Sequence, residues 1–296
     1  MRTHTRRSRV ARLWAALAAL VVIPATLAVS TSAASAAGSN TLTVKAGEYT
    51  YVLKGSPKAG LTQINFDNAG VEDHMMVGFH LKKGTTPAAF KKALLAQDDA
   101  SFKKIAAPGG DPTVNGLPGV IGPGQKTTTL TDLAAGTYGI ACFVPAPDGS
   151  PHAAHGMFKV FTVAGKSNLK APTDGVAEVT LNDTSITVPP GDAPKTLTVK
   201  VTNEGTAVHS FQLVKLNDGK TLADANTYFN SLFNTGKADG EAPGVLVGGV
   251  SEVAPSGVGY VEWTLPAGNY GYVSTDGDDP PNDDYTKGLQ GTFTIS

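Results

Sequence analysis

The sequence predicts an all-β protein in which one sandwich pattern runs along the chain twice, each pass interrupted by a helical insert. Three observations point there. Short runs of alternating Val, Thr, Tyr, Leu and Phe recur between Gly, Pro, Asn and Asp, as half-buried strands separated by turns do. Gly (34) and Pro (19) are plentiful while Cys occurs once, so packing and not disulfides must hold the cores. Finally, segments of the second part match segments of the first at a nearly constant offset, the mark of an internal repeat.

Residues 1–37 read as a secretory signal. Arg2, Arg6, Arg7, Arg9 and Arg12 precede an apolar run at 13–29 that Pro24 interrupts, and Ala34-Ser35-Ala36 fits a cleavage site. The expected product is exported, extracellular or at least extracytoplasmic, with no membrane anchor after cleavage. Losing those five Arg leaves 19 Lys+Arg against 25 Asp+Glu, a net charge of −6. That balance excludes the basic face of a nucleic-acid binder.

Strands are expected at 41–44, 49–53, 61–67, 75–81, 127–130, 137–143 and 158–163. One helix breaks the series. Thr86 can cap it and Pro87 suits its first turn, while Phe90, Leu94, Leu95, Phe102 and Ile105 supply an apolar face. Lys91, Lys92, Lys103 and Lys104 read as its solvated side. A polar stretch at 165–175, GKSNLKAPTDG, reads as a linker between a first domain at 38–164 and a second at 176–296.

The repeat is read from three pairs of segments. NAGVEDHMMVGFHL around His74 aligns with NEGTAVHSFQLVKL around His209. LAAGTYGIAC, ending at Cys142, aligns with LPAGNYGYVS, ending at Ser274, and HGMFKVFTV aligns with KGLQGTFTI. In the second copy a helical insert also follows the His-bearing strand, carrying Phe229, Leu232 and Phe233. Shared positions (Tyr138 and Tyr270, Gly139 and Gly271, Gly156 and Gly288, Phe161 and Phe293) read as turn and core. Cys142, His152, His155 and Met157 are instead replaced by Ser274, Asp284, Lys287 and Leu289. The strands therefore do not need those four side chains.

Thiolate, imidazole and thioether together suit copper, and a lone thiol is unusual in an exported chain. Apart from Met1 and His4, all Met (Met75, Met76, Met157) and all His except His209 fall in the two segments around His74 and Cys142. Structural readings compete at each position. Cys142 could be a small buried hydrophobe, His74 a hydrogen-bonded loop residue as His209 would be, and Met157 plain core. On an extended segment His155 and Met157 would point the same way, which makes His155 a substitute ligand for His152. Met75 and Met76 read as packing residues on opposite faces, and His80 as lying on the His74 face. The acidic loop at 275–284 reads as solvated.

The arrangement in the first copy resembles the cupredoxins, the blue copper proteins typified by plastocyanin and azurin. Their pattern has a His before a middle strand, a Cys ending a late strand, a His in the following loop and a Met opening the last strand. His74 before MMVGFHL, Cys142 after AAGTYG, His152, and Met157 before FKVFTV match it. The resemblance implies two tandem cupredoxin-like Greek-key β-sandwiches, with one copper ion in the first and a degenerate second copy. It also implies His74, Cys142 and His152 as a trigonal ligand set with Met157 axial, and one-electron transfer with a redox or copper-donating protein as partner. One departure stands out: nine residues separate Cys142 from His152, more than the family's compact loop. No enzyme is expected, because the His-x-His or His-Cys-His pairs of multicopper oxidases are missing from the sequence, as is a G-x-S-x-G elbow. Two alternatives remain open: a Cu(I) carrier or storage protein, and a metal-free scaffold or binding protein.

Overall fold

The computed structural model describes residues 40–96, 98–108, 113–275 and 284–296, so the expected signal segment lies outside the described residues. The chain is all-β apart from short helices. Strands β1 (Thr41–Gly47), β2 (Thr50–Lys54), β3 (Gly60–Asn68) and β4 (Val77–Leu81) come first. Helices α1 (Pro87–Ala96) and α2 (Asp99–Ile105) follow, then β5 (Leu117–Pro118), β6 (Lys126–Leu133), β7 (Gly136–Ala141) and β8 (Phe158–Val163). The second half holds β9 (Val176–Asn182), β10 (Ser185–Thr187), β11 (Thr196–Asn203), β12 (His209–Leu216), α3 (Leu222–Thr235), β13 (Gly244–Val253), β14 (Val258–Thr264), β15 (Gly268–Val273) and β16 (Gln290–Ile295).

Pairing recurs between the halves. β1 pairs antiparallel with β2 and parallel with β3, which pairs antiparallel with β6. β9 does the same with β10, β11 and β14. Facing these layers, β7 lies between β4 and β8, and β15 joins β12 to β16. Alternating burial along β3 and β11 shows one face of each turned to a core. Leu42, Val44, Ile64, Phe66, Ile140, Cys142 and Met157 fill the first core, and Val179, Val199, Val201, Phe211, Tyr270 and Leu289 the second.

The shared residues are framework. Tyr138 donates its hydroxyl to Ala134 O (2.9 Å) and stacks on Phe161, while Tyr270 donates to Pro266 O (2.7 Å) and stacks on Phe293. Gly139 and Gly271 let the helical insert approach. A Cβ there would lie 2.5 Å from the Phe90 ring or from Leu222 Cδ1 respectively.

Three expectations need correction. The single helix is two, because Asp98 caps a second one through Ser101 N (2.7 Å). Leu95 lies off the apolar face, 42% exposed, while Phe90, Leu94 and Phe102 are buried. The strand expected from Met75 begins at Val77, after the two methionines.

The halves share their sheets. β6 pairs antiparallel with β14, and β5 adds itself to the edge of β13. Buried Gln212 accepts from Val120 N (2.8 Å) and donates to Val120 O (3.0 Å) and Gly248 O (2.8 Å). Phe233 of α3 packs on the first core, so the second half touches the first there too.

Candidate metal centre

Four segments meet at one end of the first core. His74 sits between the loop 69–73 and β4, held by reciprocal backbone bonds with Ile121 (3.0 Å each way). Asn68 shapes that loop by donating to Glu72 O and Ile121 O and accepting from Gly70 N. Cys142 follows β7, where its N–H donates to Met157 O (3.1 Å) and its carbonyl accepts from Ala153 N (2.9 Å).

The long insert closes as a small hairpin. Pro145 bridges Pro151, Ala146 N donates to Ser150 O (2.8 Å), and His152 N donates to Val144 O (2.9 Å). Asp148 at the tip accepts from Ser150 N and Oγ, as Asp does in turns. The extra residues thus leave and return beside one another. His152 comes back to Cys142 despite the nine residues between.

The side chains converge. His74 Nδ1 lies 3.2 Å from His152 Nδ1, and Cys142 Sγ lies 3.5 Å from His152 Nδ1 and 4.0 Å from His74 Nδ1. Met157 shares the same core cluster, and all four side chains are fully buried. The far nitrogens face acids, with His152 Nε2 2.8 Å from Glu72 Oε2 and His74 Nε2 3.7 Å from Glu48 Oε1. Glu48 is itself fixed by Val71 N (2.5 Å).

The electrostatics oppose full protonation. Burial and the neighbouring His152 push His74 down to about 3. For His152 burial also pulls downward, but hydrogen bonding and charge from Cys142 and Glu72 outweigh it and raise the ring to about 9. Tyr51, wholly buried, is raised well above its ordinary value by desolvation and by Cys142, and its hydroxyl donates to Met75 O.

This set fits a metal ion. Bond lengths of about 2.0 Å to nitrogen and 2.3 Å to sulfur place three ligand atoms of one ion roughly 3–4 Å apart, as found here. One thiol, two imidazoles and a thioether favour copper over hard cations. An ion bound there would take the place of the proton that His152 is raised to hold, while His74 is already held neutral.

The remaining sequence candidates are elsewhere. His155 stands outside the cluster: 151–156 is a turn, closed by His155 N to His152 O (3.1 Å), so strand alternation does not apply. Its Nε2 contacts Ser150 Oγ (2.7 Å) and Asp148 Oδ1 (3.2 Å), and its ring stacks on Tyr49. His80 stacks on Tyr138 at 4.7 Å. Most of the acidic loop at 275–284 lies outside the described residues. Sequence reasoning missed Glu48, Tyr49 and Glu72. Glu48 had a signal, since Asp183 occupies the matching place in the second half.

The second half keeps the loop backbone and changes its chemistry. Ser274 N donates to Leu289 O (2.9 Å) and Leu289 N to Asp284 O (3.1 Å), as Cys142 and Met157 do with Met157 O and His152 O. His209 Nδ1 meets Asp284 Oδ2 at 2.6 Å, Ser274 Oγ donates to the same oxygen (2.7 Å), and His209 Nε2 meets Asp183 Oδ1 at 3.0 Å.

The recurring pairing and the loop that carries Cys142, His152 and Met157 form an all-β, cupredoxin-like sandwich. No protein-family model matches the chain, and no curated protein matches it. Among solved structures, reduced auracyanin from Roseiflexus castenholzii is 24% identical, covering 44% of this chain and all of that one, with a TM-score of 0.30. The azurin Az-iso2 of Methylomonas sp. strain J is 15% identical over 42% of this chain and 99% of its own, with a TM-score of 0.29. A multicopper oxidase is 16% identical over 86% of this chain and 88% of its own, with a TM-score of 0.23. Likeness of this size assigns no activity.

Proposed function

We propose that this chain is an exported mononuclear copper protein that passes single electrons, with the ion held in the first of two tandem domains. One observation carries the reading: His74, His152 and Cys142 bring Nδ1, Nδ1 and Sγ together at one buried point, and Met157 lies in the core cluster of Cys142. The second half shows that the same loop closes without those residues. Copper held there would shuttle between Cu(I) and Cu(II), since two imidazoles, a thiolate and a weak thioether suit both. The chain's part is to fix the donors before the ion arrives. The sheets hold both ends of the ligand loop, and Glu72 orients the His152 ring at 2.8 Å. Burial keeps water off the sulfur.

Complete burial of Cys142 also favours this reading over a Cu(I) carrier, which needs a thiol that can exchange its ion. The scaffold reading leaves the buried thiol–imidazole cluster without a purpose.

The test is to load metal-free protein with Cu(II). Intense blue absorption, bleached by reductant and restored by oxidant, is expected. Full copper occupancy without colour refutes the electron-transfer site, release of copper on oxidation supports the carrier, and steady consumption of oxygen or nitrite makes the protein an enzyme. The signal segment is tested by sequencing the N-terminus of protein recovered from the medium, which should begin near Gly38.

A further inference from the structure

None of the four side chains proposed as ligands reaches the surface, so an electron needs another contact with a partner. Tyr49 supplies one. Its ring meets His152 edge-on with centroids 4.9 Å apart, and stacks on exposed His155 at 4.8 Å on the other side. Tyr49 is half-buried, and its backbone takes a left-handed conformation (φ 56°). That conformation is uncommon for a bulky residue and is kept where the surroundings enforce it. It turns the β1–β2 corner so that the ring reaches the ligand loop.

Three carboxylates make up most of the rim. Glu48, Glu72 and Asp148 all raise the Tyr49 hydroxyl, after desolvation, through their charge. Their side chains are 38%, 27% and 59% exposed. Val71, whose N–H is bound by Glu48, projects beside them at 67% exposure. His155 is the basic group of this cluster, and it is engaged by Asp148 at 3.2 Å.

We propose that Tyr49 is the outward contact for electron exchange with the buried site, and that its carboxylate rim selects a redox protein with a basic docking face. This rests on the copper reading above. Complementary charge of this kind raises encounter rates and weakens with salt.

Two measurements test it. In stopped flow, one electron passes from copper-loaded, reduced protein to tris(phenanthroline)cobalt(III), giving cobalt(II), or to hexacyanoferrate(III), giving hexacyanoferrate(II). Tyr49→Ala should slow both by about tenfold, because contact geometry is lost, while the blue absorption stays. Tyr49→Phe, which keeps the ring, should not. Val71→Lys should slow the cobalt reaction and speed the hexacyanoferrate one by about threefold each, converging as salt rises. Unchanged rates in blue, copper-loaded Tyr49→Ala and Val71→Lys overturn the proposal and leave the copper site standing. The second measurement needs no copper. Redox-inert tris(ethylenediamine)chromium(III) should broaden the amide signals of Glu48, Tyr49, Val71 and Asp148 in metal-free protein, and less in Val71→Lys. Broadening spread evenly over the surface overturns the docking face, and a chain that binds no copper overturns the relay.

Discussion

The two loop clusters, one around Cys142 and one around Ser274, share a backbone and differ in what fills it. Around Ser274 every partner is matched. Asp284 takes a bond from Ser274 and meets His209 at 2.6 Å, His209 meets Asp183 on its other side, and Ser274 Oγ accepts from Ser210 N. Around Cys142 two imidazole Nδ1 atoms and a sulfur, all buried, crowd one another at 3.2–4.0 Å, and His74 Nε2 has Glu48 Oε1 only at 3.7 Å, beyond hydrogen-bond distance. Buried polar groups left this way call for an explanation. Local rules tend to be broken where function requires it. The comparison separates what the sandwich needs, which is a closed loop, from what only one half adds, which is a set of converging soft donors.

Making the first cluster more like the second should have the largest effect. Cys142→Ser should lower copper affinity more than about a hundredfold, beyond what is usual for residues that merely support ligands, and abolish the colour. Far-ultraviolet circular dichroism should be unchanged, because Ser274 shows that the fold accepts Ser there. Titration with copper under a competing chelator measures it.

Breaking the second cluster should instead cost stability. Asp284→Ala leaves His209 Nδ1 and the Ser274 hydroxyl proton without an acceptor in a buried site, and removing one member of such a pair costs about 3–5 kcal/mol. Chemical denaturation should show that loss with copper uptake intact. A loss of both would mean that the shared sheets couple the halves.

The second cluster should also respond to pH in a definite sense. His209 is pulled down by burial but held above its ordinary value by Asp284 and Asp183, and Asp183 is held low by Thr206, His209 and Ala207. A raised imidazole gives stability in full below about pH 6.5, lost as pH rises through its folded value. A depressed carboxylate gives stability above about pH 4, lost as pH falls through its folded value. Asp183→Asn should therefore destabilise most near pH 5–6, between those ordinary values, and progressively less toward pH 9. Thermal unfolding across that range checks it.

How much of this was legible in the sequence depended on local pattern. The expected strands before the linker were found within a few residues, because alternation and turn chemistry are local. Cys142, His152 and Met157 stood out because the repeat let one half control for the other, whereas His74, matched by His209, stood out only through the Met and His gathered near it and the family resemblance. The supports were not legible in the same way. Glu48 and Tyr49 lie far from the ligands along the chain and reach them only because β1 and β2 turn beside the loop. The hairpin inside 143–152 depends on backbone bonds that no spacing rule supplies. The addition of β5 to β13 is a pairing between halves, invisible to any window that reads one half at a time. Strand alternation misplaced His155 because the backbone there turns.

The smallest expected effect is the cleanest control for the comparison. Tyr138 and Tyr270 each donate to a carbonyl four residues earlier, at 2.9 and 2.7 Å, and each stacks on the matching Phe. Neither hydroxyl touches a proposed ligand. Replacing either Tyr with Phe keeps the ring and leaves one carbonyl short of a donor, a loss of about 1 kcal/mol. If these residues serve the framework alone, the two losses should match, and Tyr138→Phe should leave copper affinity and colour as they are. A Tyr138→Phe protein with altered absorption would mean that the framework of the first half is tuned to its site, and that the two halves differ in more than what fills their loops.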